Sequence, residues 1–318
     1  MIKPRLETEG YGLEFALNRQ PPASSPEPLS GVIPAPMACP DVAVTLRGPQ
    51  TSSPRRAGAW DLVDMWRNTR MVVLTAMSAS LYAAILIPFK VLPIIPGVTE
   101  FRPANAVPVV CSFLFGPAGA WGAAIGNIIG DFFGGIGPGD LFGFVGNLLY
   151  GLVPYKAWEA ITDGDPVPRT PGMWVAFVGT VLLASAVCAL TIGWGINLLG
   201  FVPFSVLGNI ILINNFAVAV VLAPFLLAVI YPRVKRGGLL YREILPRLVR
   251  PRWRRRLGLV VVAAATAGGM LLGNLLSSGR LDVPFLAHAG AATATRAGDV
   301  GLGLFPVMVV LLVGIMLM

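Results

Sequence analysis

The chain has 318 residues, of which 55% are hydrophobic and 13% charged, with mean hydropathy +0.73 and a formal net charge of +8. A soluble domain carries about 25% charged residues, so this composition excludes a soluble globular protein and describes a chain that crosses a bilayer several times. The positive excess is clustered: ten of the 24 Lys and Arg fall between Arg233 and Arg256, and eight more precede Met71. Both clusters flank apolar runs and read as cytoplasmic anchors, with no nucleic-acid partner implied.

In chain order, residues 1–60 are rich in Pro, Ser and Gly and read as a disordered cytoplasmic tail. No apolar run lies near Met1, so the start does not read as a cleaved signal peptide. Residues 59–70 read as an amphipathic lead-in lying on the membrane surface. Eight apolar spans follow, at 71–89, 103–115, 118–133, 140–155, 173–199, 205–231, 257–276 and 300–318. Spans two to four are short, which requires tilt, local bilayer thinning or partial re-entry. The fold class is thus an all-α polytopic membrane protein: a six-helix core at 61–236, a basic linker at 237–256 and a two-helix hairpin at 257–318. The distribution of Lys and Arg puts both termini in the cytoplasm, with 156–172 and 233–256 on that side. Connections 90–102, 134–139 and 200–204 then face outside.

The segment 101–150 carries polar groups that a lipid-facing helix would not keep. Glu100, Arg102, Asn105, Asn127, Asp131, Asp140 and Asn147 lie in or beside apolar sequence. An ionisable group at the bilayer centre costs on the order of 2.5–3.5 kcal/mol on insertion scales unless it is paired or faces a cavity. Asn127 and Asp131 are four apart, on one helical face, beside a stripe formed by Gly122, Gly126, Gly130 and Gly134. Asp140 and Asn147 are seven apart with Tyr150 near the same side, although Asp140 also reads as a helix cap after Gly137-Pro138-Gly139. Further along, Trp194, Asn197, Asn209, Asn214 and Asn215 offer aromatic and amide groups that suit a small polar ring, or serve as interhelical glue. Cys39, Cys111 and Cys188 have no metal-ligand spacing, and His288 is the only histidine, so neither a metal nor another cofactor is implied.

The first span carries two small-residue strips, Ala79 with Ala83 and Ala76 with Ser80 and Ala84. Either packs inside the protein or offers a flat face to another membrane subunit. These features together resemble the S components, the substrate-binding subunits of energy-coupling factor (ECF) vitamin transporters, over roughly 71–236. The likeness rests on the six spans, on Ala79-x-x-x-Ala83, on Phe101-Arg102-Pro103 entering span two, and on Leu114-Phe115-Gly116-Pro117 before the Gly-rich span three. The run from Arg102 through Asn127, Gly130 and Asp140 is most similar to the QueT-like, queuosine-precursor branch.

The resemblance implies capture of a vitamin-like small molecule from outside, in a pocket under the outer loops. It implies an ECF-type ABC importer, with docking through Ala79 and Ala83 onto a membrane coupling subunit driven by two cytoplasmic ATPases. The chain carries no Walker A sequence of its own. The tail and the hairpin depart from the usual six-span layout. Two other classes fit parts of the sequence. A structural six-helix membrane subunit of the cell-shape type would use the same polar residues as glue. Gly137-Pro138-Gly139-Asp140 with Asp131 also matches the GxGD pattern of an intramembrane aspartyl protease, in which two carboxylates share a proton.

Overall fold

The computed structural model describes residues 61–91, 93–95, 99–100, 102–245, 251–281 and 296–318, with backbone alone described at 90–100. The tail, Cys39, Phe101 and His288 lie outside the described residues. The described chain is almost entirely helical. In order it forms α1 (Asp61–Asp64), α2 (Thr69–Leu86), α3 (Ala106–Phe115), α4 (Pro117–Phe132) and α5 (Asp140–Ile161). Then come α6 (Pro171–Leu198), α7 (Phe204–Arg236), α8 (Tyr241–Ile244), α9 (Arg252–Ser277) and α10 (Ala297–Leu317). The connection after α2 holds a small antiparallel pair, β1 (Pro93–Ile95) and β2 (Thr99–Glu100), in the register Pro93↔Glu100 and Ile95↔Thr99.

Helix starts follow local chemistry. The Asn68 side chain accepts from the amides of Arg70 and Met71, and the Thr170 hydroxyl accepts from Met173 ahead of Pro171. Pro117 opens α4, where a missing N–H costs nothing. Among the described residues, five helices are long and apolar enough to cross a membrane: Thr69–Phe89, Pro171–Leu198, Phe204–Ile244, Arg252–Ser277 and Ala297–Leu317. Their outer faces expose large apolar side chains such as Val73, Met77, Phe225, Val229, Phe305 and Leu312, as suits lipid contact.

The short helices are explained by position. All ten residues of α3 are buried, and it packs against α2, α4, α5 and α7. A helix of ten residues is only about 15 Å long, but protein surrounds α3, so its ends need not meet lipid. The 16-residue α4 lies along α2. A Cβ added at Gly122, Gly126 or Gly130 would strike Ser78, Ala79 or Leu86 at 2.4–2.8 Å. The glycine stripe is therefore the α2–α4 contact itself. Gly134 falls beyond the end of α4.

Several sequence boundaries need correction. The fourth span is a full 22-residue helix, so Lys156 and Glu159 belong to α5 and not to a loop. Pro154 sits inside it, and the amide of Tyr155, the next residue, is satisfied across the bundle by the Ser112 hydroxyl at 3.1 Å. The lead-in is a single turn of helix and a short 3-10 turn held to the bundle. Met65 is fully buried, the Trp121 indole donates to the Leu62 carbonyl, and Asp61 lies 3.5 Å from Lys156. The basic linker is partly helical, since Arg252 to Arg256 form the head of α9. Ala79 and Ala83 are 3% and 4% exposed and face inward. The exposed strip on α2 is the other one, Ala76, Ser80 and Ala84, flanked by Val73, Met77 and Leu81.

Helices α2, α4, α6 and α9 run one way, and α3, α5, α7 and α10 run the other. Two ends result. One gathers Arg102, the 134–139 loop and the heads of α5 and α7. The other gathers the carboxylates Asp61, Glu159, Asp163 and Asp165 with Lys156, Lys235, Arg242, Arg252 and Arg255.

Candidate functional site

At the first end the bundle opens into a cavity of about 340 Å³. Arg102 and Asn105 enter it from the turn ahead of α3. Asn127 and Asp131 come from α4, and Asp140, Gly143 and Asn147 from α5. Cys188, Ile192 and Ile196 come from α6, and Leu207, Ile211, Asn214 and Asn215 from α7. The 134–139 loop and Phe201 form the mouth. One wall is polar and the α6–α7 wall is mostly apolar.

The polar wall is held by hydrogen bonds. The Arg102 guanidinium donates to the Asn127 side-chain oxygen at 3.0 Å, and the Asn127 amide donates to the Asp131 carboxylate at 2.6 Å. Asn127 is 1% exposed, so each half of its amide is satisfied by a charged neighbour and its orientation is fixed. Beneath this lies a second layer. The Tyr82 hydroxyl stands 3.2 Å from the side-chain oxygens of both Asn105 and Asn147. The Asn105 amide donates to Asn215 at 2.6 Å, and the Tyr150 hydroxyl donates to the backbone carbonyls of Asn105 and Asn215 at 3.1 and 3.3 Å. This layer ties α2, α5 and α7 to the turn ahead of α3, and it forms the floor of the cavity.

Asp140 has both of its expected features. Its carboxylate accepts from the Gly137 amide at 2.8 Å, which braces the mouth loop, and the residue also lines the cavity. The Asn147 amide donates back to the Gly143 carbonyl at 2.9 Å. Asp131 and Asp140 each accept from a different donor. An aspartyl-protease dyad instead shares one proton between adjacent carboxyls.

Of the sequence-predicted residues, Arg102, Asn105, Asn127, Asp131, Asp140, Asn147 and Asn214 come together around the cavity. Tyr150 is fully buried one layer below. Trp194 and Asn197 point elsewhere. The Trp194 indole donates to the Gly301 carbonyl of α10 at 3.1 Å, and the Asn197 amide reaches the Val202 carbonyl at 3.4 Å. Both are on α6 but off its cavity face, because 192 and 196 occupy that face. Glu100 lies in β2, and its side chain is outside the described part. Tyr82 was missed, although a hydroxyl within an otherwise apolar span is a signal of its own. Ile192, Ile196, Leu207 and Ile211 carried no signal, since apolar residues in a span look alike whether they face lipid or a site.

A pocket of this size, with one cation, two carboxylates and five amides opposite an apolar wall, is suited to a small polar molecule with a flat or ring-shaped body. The pocket's amide and carboxylate oxygens are able to accept from N–H or O–H groups, Arg102 is able to donate, and the isoleucines offer an apolar face. The arrangement belongs to a multi-pass membrane protein of the solute-transport class. The family model described as QueT transporter matches residues 72–232, half of the chain, and spans α2 to most of α7. The chain belongs to the QueT transporter family, a family of ECF S components. No curated protein and no solved structure matches it.

Proposed function

We propose that this chain is the substrate-binding subunit of an ECF-type ABC importer. It takes a small, polar, vitamin-like heterocycle from outside into the cavity formed by Arg102, Asn105, Asn127, Asp131, Asp140, Asn147 and Asn214. It passes this solute inward through a membrane coupling subunit and two cytoplasmic ATPases. The observation that carries the reading is the cavity itself: polar residues scattered over more than 110 positions of an apolar sequence meet in one space of about 340 Å³. The charge distribution supports the orientation. The end opposite the cavity bears Arg67, Arg70, Arg169, Arg233, Lys235, Arg236 and the arginines of α9, so the positive-inside rule makes that end cytoplasmic and the cavity external. The chain then lies in the cytoplasmic membrane with both termini inside. The coupling subunit is assigned to the exposed α2 face with Ala76, Ser80 and Ala84, since Ala79 lies against α4 and Ala83 is buried.

The test is native mass spectrometry of the protein purified in mild detergent from its own host. A retained small heterocycle, lost in Asn127→Leu, is the expected result, with an ATPase pair co-purifying. A protein that is empty across repeated preparations and brings no ATPase overturns the proposal.

A further inference from the structure

The family match ends at residue 232, so the hairpin of α9 and α10 lies beyond it. The hairpin packs on α5, α6 and α7, and its contacts with α6 and α7 lie directly behind the cavity. On α7, Leu207, Ile211, Asn214 and Asn215 line the cavity, whereas Ser205 and Asn209 meet α9. With 3.6 residues per turn these two sets fall on opposite faces of one helix. Helix α6 is divided in the same way. Cys188, Ile192 and Ile196 line the cavity. On the other face, Leu190 lies against Gly269, Leu198 lies against Gly301, and Trp194 donates to the Gly301 carbonyl. A wall one helix thick therefore separates the cavity from the hairpin.

The contact is built from polar groups, not apolar packing alone. Asn209 donates to the Asn274 side-chain oxygen at 2.7 Å, and Asn274 donates back at 3.4 Å. Each amide also holds a backbone carbonyl of its own helix, Ser205 or Met270. The Ser277 hydroxyl donates to the Ser205 hydroxyl and accepts from the Ser205 amide, both at 3.1 Å. Phe204 lies against Gly273, where a Cβ would come within 2.5 Å of its ring. These contacts sit in the first two turns of α7, beside the mouth residue Phe201. Apolar contact between membrane helices can slide, because lipid tails compete equally well for the same surface. Paired amides specify one register.

We propose that the hairpin is a clasp that positions the α6–α7 wall of the site, with Asn209, Asn274, Ser205, Ser277 and Trp194 as positioning residues. It holds the wall shut from behind. The α2 strip of Ala76, Ser80 and Ala84 stays exposed with the hairpin in place, so the clasp leaves that face open to a partner.

Cys188 reports on the wall, because it lines the cavity yet is only 1% exposed. In the full chain carrying Cys39→Ala and Cys111→Ala, its modification by N-ethylmaleimide is timed in detergent. Asn274→Ala is expected to speed labelling roughly three- to tenfold, the range for loss of one interhelical hydrogen bond. Adding Ser205→Cys and Ser277→Cys, oxidised to a disulfide before labelling, is expected to restore the slow rate. Labelling unchanged in Asn274→Ala, even with a lower melting temperature, would mean a merely structural contact and overturns the proposal. Fast labelling that the disulfide does not slow overturns it too. Should Asn274→Ala not purify as a single species, Trp194→Phe removes the bond to Gly301 with less disturbance and is read in the same way. No ligand enters the measurement, so its outcome is independent of the transport reading.

Discussion

Asn127 shows how one buried amide organises the site. It accepts from Arg102 and donates to Asp131, and it is sealed from solvent between them. Asn127→Leu keeps approximate size and removes both bonds, leaving a guanidinium and a carboxylate short of one partner each. A buried charged group that loses a hydrogen bond costs about 1–3 kcal/mol, so retention of the bound solute is expected to fall about tenfold or more, read by native mass spectrometry. Asn127→Asp keeps the acceptor for Arg102 and places a carboxylate against Asp131, so it is expected to hurt as well, despite its similar shape. Gly116 is constrained by conformation. It joins α3 to α4 at φ 54° and ψ −118°, and an added Cβ would lie 2.7 Å from the Tyr241 ring. Backbone strain and collision act together, so Gly116→Ala is expected to cost more than about 2 kcal/mol. A lowered melting temperature in detergent, with the cavity end unaffected in Cys188 labelling, checks it.

At the scale of elements, α2 has two small-residue strips with opposite fates. Ala79 lies against Gly126 of α4 through its carbonyl and near Gly122 through its amide, so Ala79→Leu is expected to break the α2–α4 contact and destabilise the isolated protein. Ala76→Leu and Ser80→Leu project outward, and the isolated protein is expected to melt as before, while co-purification of the proposed coupling subunit is lost. Equal melting for all three variants would remove the distinction. The sequence could show that both strips exist, because their four-residue spacing is visible. It could not show which one faces inward, because that depends on where the glycines of α4 land. The same limit explains the rest of the site. Polar residues at membrane depth stand out, so Arg102, Asn127, Asp131 and Asn147 were readable. The isoleucine wall was not, and Trp194 and Asn197 lie off the cavity lining: Trp194 reaches Gly301, far along the chain, and Asn197 turns back to Val202 in the loop that follows its own helix. The fourth span reads as ending at residue 155, but α5 runs on to Ile161 past Pro154, because Ser112, 43 positions away, satisfies the amide of Tyr155.

Across the whole molecule, charge is divided between the cavity end and a basic end, where Glu159 and Asp163 meet the arginines of α9 and Asp165 meets α7. Tyr241 donates to Glu159 at 2.7 Å, Arg242 and Arg255 lie 3.6 and 4.0 Å from the same carboxylate, and Arg252 bonds Asp163. Lys235 and Tyr231 both donate to Asp165 at 2.8 Å. The hydrogen bond and charge of Arg252 hold the Asp163 carboxyl below its ordinary 3.8. At Asp165 burial alone would raise the carboxyl, but the bonds from Lys235 and Tyr231 outweigh it and the net shift is also downward. A carboxyl depressed in the folded state binds protons less readily than in the unfolded chain. Its contribution is therefore fully present above the unfolded value and is lost as pH falls through the folded one. The melting temperature is expected to be flat with respect to these groups from about pH 5 to 7 and to fall below about pH 4. Because both pairs are substantially exposed, each contributes no more than about 1 kcal/mol. Asp165→Asn is expected to lower the plateau slightly and to shrink the acid-side fall, since the group that titrates has been removed. An acid-side fall of unchanged size in Asp163→Asn/Asp165→Asn would assign it to carboxylates elsewhere. Asp131 and Asp140 at the cavity would then be the first to replace.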